Sequence, residues 1–219
     1  MKIKLMVIAI ALFTFIQTGA AVLAQQSGPA AARQSAAQGR HCVEQVHQIP
    51  EGSDPAQLPD EAPATATCFR TFAQALQAAT GATSGIDPNI TPADVTDDLL
   101  ASLAATSAAA SPKAPAAPAA TIIGVGYSSA NYSGYTLTTS VGNSVGCATG
   151  YSYYASAPPP NGWNDRISSY RGYGGCAAVY LFEHASYQGA VLRCNWCSSL
   201  AALDNRTSSR QWHRTGGKY

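Results

Sequence analysis

The alternation of apolar and polar residues changes character along this chain. An apolar run from Leu5 to Ile16, broken by Thr14, opens it. Weak helical periodicity follows: TFAQALQAAT places Phe72, Leu76 and Ala79 on one face after Thr71, which predicts a short helix. TPADVTDDLLASLAA, from Thr91 to Ala105, offers Thr91 as a cap, Pro92 at the first helical position and acidic side chains in the opening turns, and predicts a second. From Thr121 onward the pattern is different. TIIGVGY (121–127), GYTLTTS (134–140), CAAVYLF (176–182) and GAVLRC (189–194) are short runs rich in β-branched and aromatic residues, set between Gly, Ser and Asn, and predict strands.

Composition sharpens this division. All eleven tyrosines and all three tryptophans lie after Ala120, so the packed core is expected there, as an all-β domain over 121–215. Ahead of it the chain reads as a Pro/Ala linker over 106–120, extended and semi-rigid. A small, disulfide-bridged, partly helical segment is expected over 41–105, and the Ala/Gln/Ser/Gly stretch 25–40 reads as disordered. Lys2 and Lys4, the apolar run, and the small residues Val22 and Ala24 form the three-part pattern of a signal peptide, 1–24, cleaved before Gln25. Twelve apolar residues make a helix of only about 18 Å, against about 30 Å of hydrocarbon, so the expectation is a secreted, extracellular protein with no membrane contact after cleavage.

Export makes the six cysteines candidates for bridges. Two early ones, Cys42 and Cys68, pair by default. For Cys147, Cys176, Cys194 and Cys197 three connectivities are open, with Cys147–Cys176 and Cys194–Cys197 favoured. The CNWC spacing lacks both the strand-to-helix setting of a redox motif and further zinc ligands, so it reads as structural. Charge is uneven: residues 25–120 carry four basic against nine acidic side chains, and residues from 121 onward seven against three. Opposite signs favour docking of the two parts, within the reach that salt allows. No basic stripe is dense enough for nucleic acid.

The last hundred residues also repeat. Tyr127–x4–Tyr132–x–Gly134 is matched by Phe182–x4–Tyr187–x–Gly189, and each half continues to a loop: Asn164-Asp165-Arg-Ile-Ser168-Ser169, then Asp204-Asn205-Arg-Thr-Ser208-Ser209. In such a hairpin the first ring covers the turn and the glycine supplies a positive φ. Neither half can bury a sheet face alone, so the halves are expected to pack as a sandwich.

In these residues the stretch from about Thr121 to His213 resembles a βγ-crystallin domain, built from two Greek-key motifs, with loops similar to those of the calcium-binding microbial members. The inserted YYASAPPPNGW departs from that pattern. The resemblance implies two calcium sites at one pole. Asn164, Asp165 and Ser168 are the candidates in one loop, and Asp204, Asn205 and Thr207 to Ser208 in the other, with Ser169 and Ser209 holding the loop shape. Ser128 and Glu183 are candidate carbonyl donors, and the loops exchange a ligand across a pseudo-twofold axis. The chemistry agrees: calcium takes six to eight oxygens, and with one carboxylate per loop the affinity is expected between about 10⁻⁶ and 10⁻³ M.

His41, His47, His184 and His213 form no HExxH, and neither a serine elbow nor a phosphate loop occurs, so the chain reads as no enzyme. Glu183 and Asp165 are the remaining possible hydrolytic pair. The leading expectation is therefore a secreted structural module tightened by Ca2+. The alternative is a secreted inhibitor of metalloproteinases, similar in fold, presenting the Pro-rich loop 152–162 to an extracellular protease. A third reading makes the acidic half a pro-segment that masks the basic half.

Overall fold

The computed structural model describes residues 40–50, 66–82, 84–109, 120–143, 145–149 and 151–214, all within one compact unit that starts at Ala36. The expected signal peptide, nearly all of 25–40 and most of the linker lie outside the described residues.

The strands are β1 (His41–Gln45), β2 (His47–Pro50), β3 (Ala66–Phe69), β4 (Thr121–Ser129), β5 (Ser133–Val141), β6 (Tyr151–Ala155), β7 (Ser169–Gly172), β8 (Ala178–Phe182), β9 (Val191–Cys194), β10 (Trp196–Cys197) and β11 (Ser209–His213). They form two sheets, ordered β10-β7-β4-β5-β1-β3 and β2-β6-β11-β8-β9. The order has a simple logic. Of β4 to β7, the third strand crosses to the other sheet; of β8 to β11, the third crosses back. Two Greek keys therefore lock into one sandwich, as expected. Between the sheets lie Ile123, Leu137, Tyr153, Tyr170, Val179, Leu181 and Trp212.

The early segment is woven into both sheets. β1 runs parallel to β5, β3 pairs antiparallel with β1, and β2 pairs antiparallel with β6. Cys42 faces Cys68 in register, and the two are bridged. Cys147–Cys176 and Cys194–Cys197 form as favoured. Alternation along β1 points Cys42 and Glu44 into the sandwich and Val43 outward. Glu44 is fully buried and meets Arg210 of β11, which is 1% exposed, across the interior. Arg210 Nη2 donates to Glu44 Oε2 at 3.0 Å, and Thr139 Oγ1 donates to Oε1 at 2.7 Å.

Two helices cover the outer face of the β4 sheet. α1 (Phe72–Thr80) opens with a capping box in which Thr71 Oγ1 accepts from Gln74 N and Gln74 Oε1 from Thr71 N. The second helix departs from its prediction. Thr91 and Asp94 close a 3-10 turn over Pro92–Asp94, Val95 is extended and buried, and α2 (Asp97–Ala109) starts only after Thr96, whose hydroxyl accepts from Leu99 N. A Thr cap before Pro fits a single turn as well as a helix, and burial of Val95 decides for the turn. Phe72, Leu76, Ala79, Val95 and Leu103 pack there against Ile122, Val125, Tyr127 and Tyr173.

The inserted loop is also largely interior. Residues 152–155 belong to β6, and Ser152 to Ser156 are all buried, as is Pro159. Asn161 Nδ2 ties the tip back to Ala66 O of β3 at 2.6 Å. The exposed rigid loop assumed for a protease inhibitor is thus absent over its first half, because those residues pair with β2 and β11.

His41 at the start of β1 sits between Phe72 and Tyr135, its Nδ1 3.0 Å from Thr136 Oγ1. Burial first, then Arg40, hold its pKa below 6.5. On acidification the unfolded chain therefore takes the proton first. This stabilising contribution is complete above about pH 6.5 and is lost as pH falls through the folded value. The Tm of the native chain is expected to drop from pH 7.5 to 5.5 by more than that of His41→Gln; equal drops in paired scans would contradict this.

Candidate functional site

The repeat seen in sequence becomes a pseudo-twofold in the backbone. Asn131 and Tyr132 have positive φ, and so do Ser186 and Tyr187, their counterparts. Gly134 (φ 83°) and Gly189 (φ 80°) follow, as the hairpin reading expects. A side chain at 134 would also collide with Ser128 Oγ, 2.6 Å from an added Cβ. The first aromatic of each hairpin packs edge-on against the second, with ring centres 5.6 Å apart for Tyr127–Tyr132 and 5.5 Å for Phe182–Tyr187.

Each loop then docks under the hairpin of its own half. Ser168 N donates to Tyr127 O at 2.7 Å, and Ser208 N to Phe182 O at 2.9 Å. The last serine of each signature fastens the hairpin. Ser169 Oγ donates to Ser129 O and accepts from Tyr132 N; Ser209 Oγ donates to His184 O and accepts from Tyr187 N. That matches the shape-holding role expected of these two serines.

The loops meet each other at one pole. Asp165 N donates to Thr207 O at 3.3 Å and Asn205 N to Ile167 O at 3.0 Å. Asp165 and Asn205 both adopt the left-handed conformation that Asp and Asn tolerate best. Their side chains cross over: Ser168 Oγ lies 3.4 Å from Asn205 Oδ1, and Ser208 Oγ lies 3.2 Å from Asp165 Oδ1. Ser168 Oγ is also 3.4 Å from Ser128 O. One cluster thus gathers Ser128, Ser168 and Asn205, and its counterpart gathers Ser208 and Asp165 beside the hairpin that carries Glu183.

Other candidates fall elsewhere. Asn164 donates its amide to Asp165 Oδ2 at 2.8 Å, and Asp204 closes a turn through its backbone N–H to Ala201 O. Thr207 is buried like its counterpart Ile167 and its hydroxyl has no partner, which sets it in the core rather than in the cluster. The carboxylate of Glu183 accepts from Ala190 N and is paired with Arg206, and these two partners hold its pKa below the usual range. Its ion pair with Arg206, half exposed, was not visible in the sequence, where nothing links positions 23 apart. Among the described residues no three His, Cys, Asp or Glu side chains gather as a metal centre. The oxygens at the pole are hydroxyl, amide and carbonyl oxygens with one carboxylate, a donor set that fits a hard cation and suits zinc or iron poorly.

The His213–Ser152 pair gives no catalytic site. His213 Nδ1 is 2.9 Å from Ser152 Oγ, but both residues are under 5% exposed and Nε2 faces the neutral Gln211 amide. A substrate has no access to that hydroxyl.

No family model and no curated protein matches the chain. Similar solved structures are crystallin-type domains. A betagamma-crystallin from an archaeon is 18% identical, covers 42% of this chain and 96% of its own, with a TM-score of 0.29. A double mutant of a betagamma-crystallin domain from Clostridium beijerinckii is 19% identical over 43% of this chain and 100% of its own, at 0.32. The betagamma-crystallin domain from Flavobacterium johnsoniae is 25% identical over 44% and 99%, at 0.29. Strand order and register, rather than these likenesses, carry the fold assignment.

Proposed function

We propose that this is a secreted structural protein of βγ-crystallin type whose paired loops bind calcium at one pole of the sandwich. The observation that supports it most is the reciprocal crossing of the loops, Ser168 to Asn205 and Ser208 to Asp165. Hydroxyl and amide or carboxylate oxygens from different halves converge there, so a cation bound between them would tie the two Greek keys together. Ser128 O and Ser168 Oγ with Asn205, and Glu183 O and Ser208 Oγ with Asp165, would hold the ions; Asn164 and Asp204 lie next to the pole. The bound ion would supply only charge and coordination.

An ion that binds only the folded state adds about 2.7 kcal/mol at a hundredfold over Kd. The Tm of the mature protein is therefore expected to rise in calcium and fall back with chelator. Asp165→Asn and Ser208→Ala should each remove about half of the rise, since both act on one of the two clusters, while changing the chelated Tm little. A calcium-independent Tm in the unaltered protein would dispose of this reading.

A further inference from the structure

We propose that Trp196 and Arg171 form a binding site for an acidic polysaccharide, the free indole face taking the apolar face of a uronate ring and the guanidinium behind it attracting the carboxylate past the indole edge. Of the three tryptophans, Trp163 and Trp212 are 2% and 0% exposed, whereas Trp196 is 55% exposed. It is also held in place. β10 is a two-residue strand, paired with β7 so that Trp196 faces Arg171, and the Cys194–Cys197 bridge closes the chain around it.

Arg171 lies between two rings, its Cζ 3.8 Å from the centre of Tyr132 and 5.0 Å from that of Trp196. The three side chains form a stack with one indole face used and the other at the free end. Two further arginines of this half, Arg206 and Arg210, have carboxylate partners. Arg171 has none within ion-pair distance among the described residues, so its charge is fixed in position and uncompensated.

This chemistry selects a ligand. The residues around Trp196 include the exposed Asn195, Ser198 and Ser199, so a protein partner would find no contiguous apolar patch to bury. A pyranose ring presents an apolar face edged by hydroxyls, which suits one aromatic plate among neutral polar groups. The guanidinium behind the indole draws on its π-electrons, which weakens the plate for a neutral sugar and adds attraction for an anionic one.

The test is affinity electrophoresis of the mature protein in metal-free buffer, in gels containing polygalacturonate or neutral dextran, so that the outcome does not depend on the calcium proposal. Retardation by polygalacturonate alone is expected, weakening with salt. Trp196→Ala and Arg171→Gln should each reduce the affinity at least about tenfold. An unchanged melting curve for Trp196→Ala would establish that its fold is intact. Absence of retardation by polygalacturonate, equal retardation by dextran, or full retention in a folded Trp196→Ala protein would each overturn the proposal.

Discussion

Glu44→Ala is expected to lose about 3–5 kcal/mol of folding stability, a large part of the roughly 5–15 kcal/mol that a domain has in total. The cause is not the loss of an attraction alone. Arg210 is 1% exposed, and Glu44 is the carboxylate paired with it. Burial acts to lower the pKa of Arg210, and the Glu44 carboxylate more than reverses this, so the guanidinium stays charged in the interior. Without the carboxylate, a desolvated cation remains, with its Nε already lacking a partner. Glu44→Gln should cost nearly as much, since an amide restores a hydrogen bond but not the charge. Replacing both residues, Glu44→Leu with Arg210→Met, should recover most of the loss, because a buried ion pair and an apolar pair of similar volume come out close in energy. Urea unfolding of the four proteins measures this. A single-mutant loss below about 1 kcal/mol would mean that water reaches the pair.

That pair also marks the limit of what the sequence made legible. The unequal charge of the two regions suggested that they attract, but Glu44 was one of nine acidic residues before 121 and nothing in HCVEQ singled it out. Alternation around Cys42 was the available signal: with Cys42 inward, Glu44 must point inward too, and an inward carboxylate demands a buried cation. The hairpins, by contrast, were readable because Tyr127, Tyr132 and Gly134 recur as Phe182, Tyr187 and Gly189, and local backbone geometry needs little else. The loops were readable for the same reason. What the loops do to each other does not follow from spacing, only from the resemblance, which implies an exchanged ligand: a spacing rule places Ser168 beside Asp165 in sequence, while the fold sets its hydroxyl against Asn205. β7, β10 and β11 escaped notice because they are short and their residues are Ser, Arg, Gln and Gly as often as apolar ones, the burial of β7 and β11 being imposed by the opposite sheet.

A chain starting at Ala120 is expected to show no cooperative unfolding, whereas the full chain cut once between 110 and 119 should remain one particle. Removing the early segment takes β1 and β3 from the edge of β5 and β2 from β6. It leaves Arg210 bare, at about 3–5 kcal/mol. It also uncovers Ile122 and Val125 beneath the helices, at about 1.5–3 kcal/mol each. Those losses together, about 6–11 kcal/mol, are comparable to the usual margin of stability. A cut breaks none of these contacts. No bridge crosses it either, because Cys42 pairs with Cys68 and the other four cysteines pair among themselves. The cut protein should therefore run as a single peak on size exclusion and as two bands on a non-reducing denaturing gel. That result would argue against a pro-segment released by cleavage: the two parts would stay together through the pairing of β1 with β5 and β2 with β6. Arg210→Met in the shortened chain separates the contributions. Partial recovery of a melting transition assigns the failure to the orphaned guanidinium, while no recovery assigns it to the missing strands and helices. A cooperative transition in the unaltered short chain would show that the sandwich needs neither.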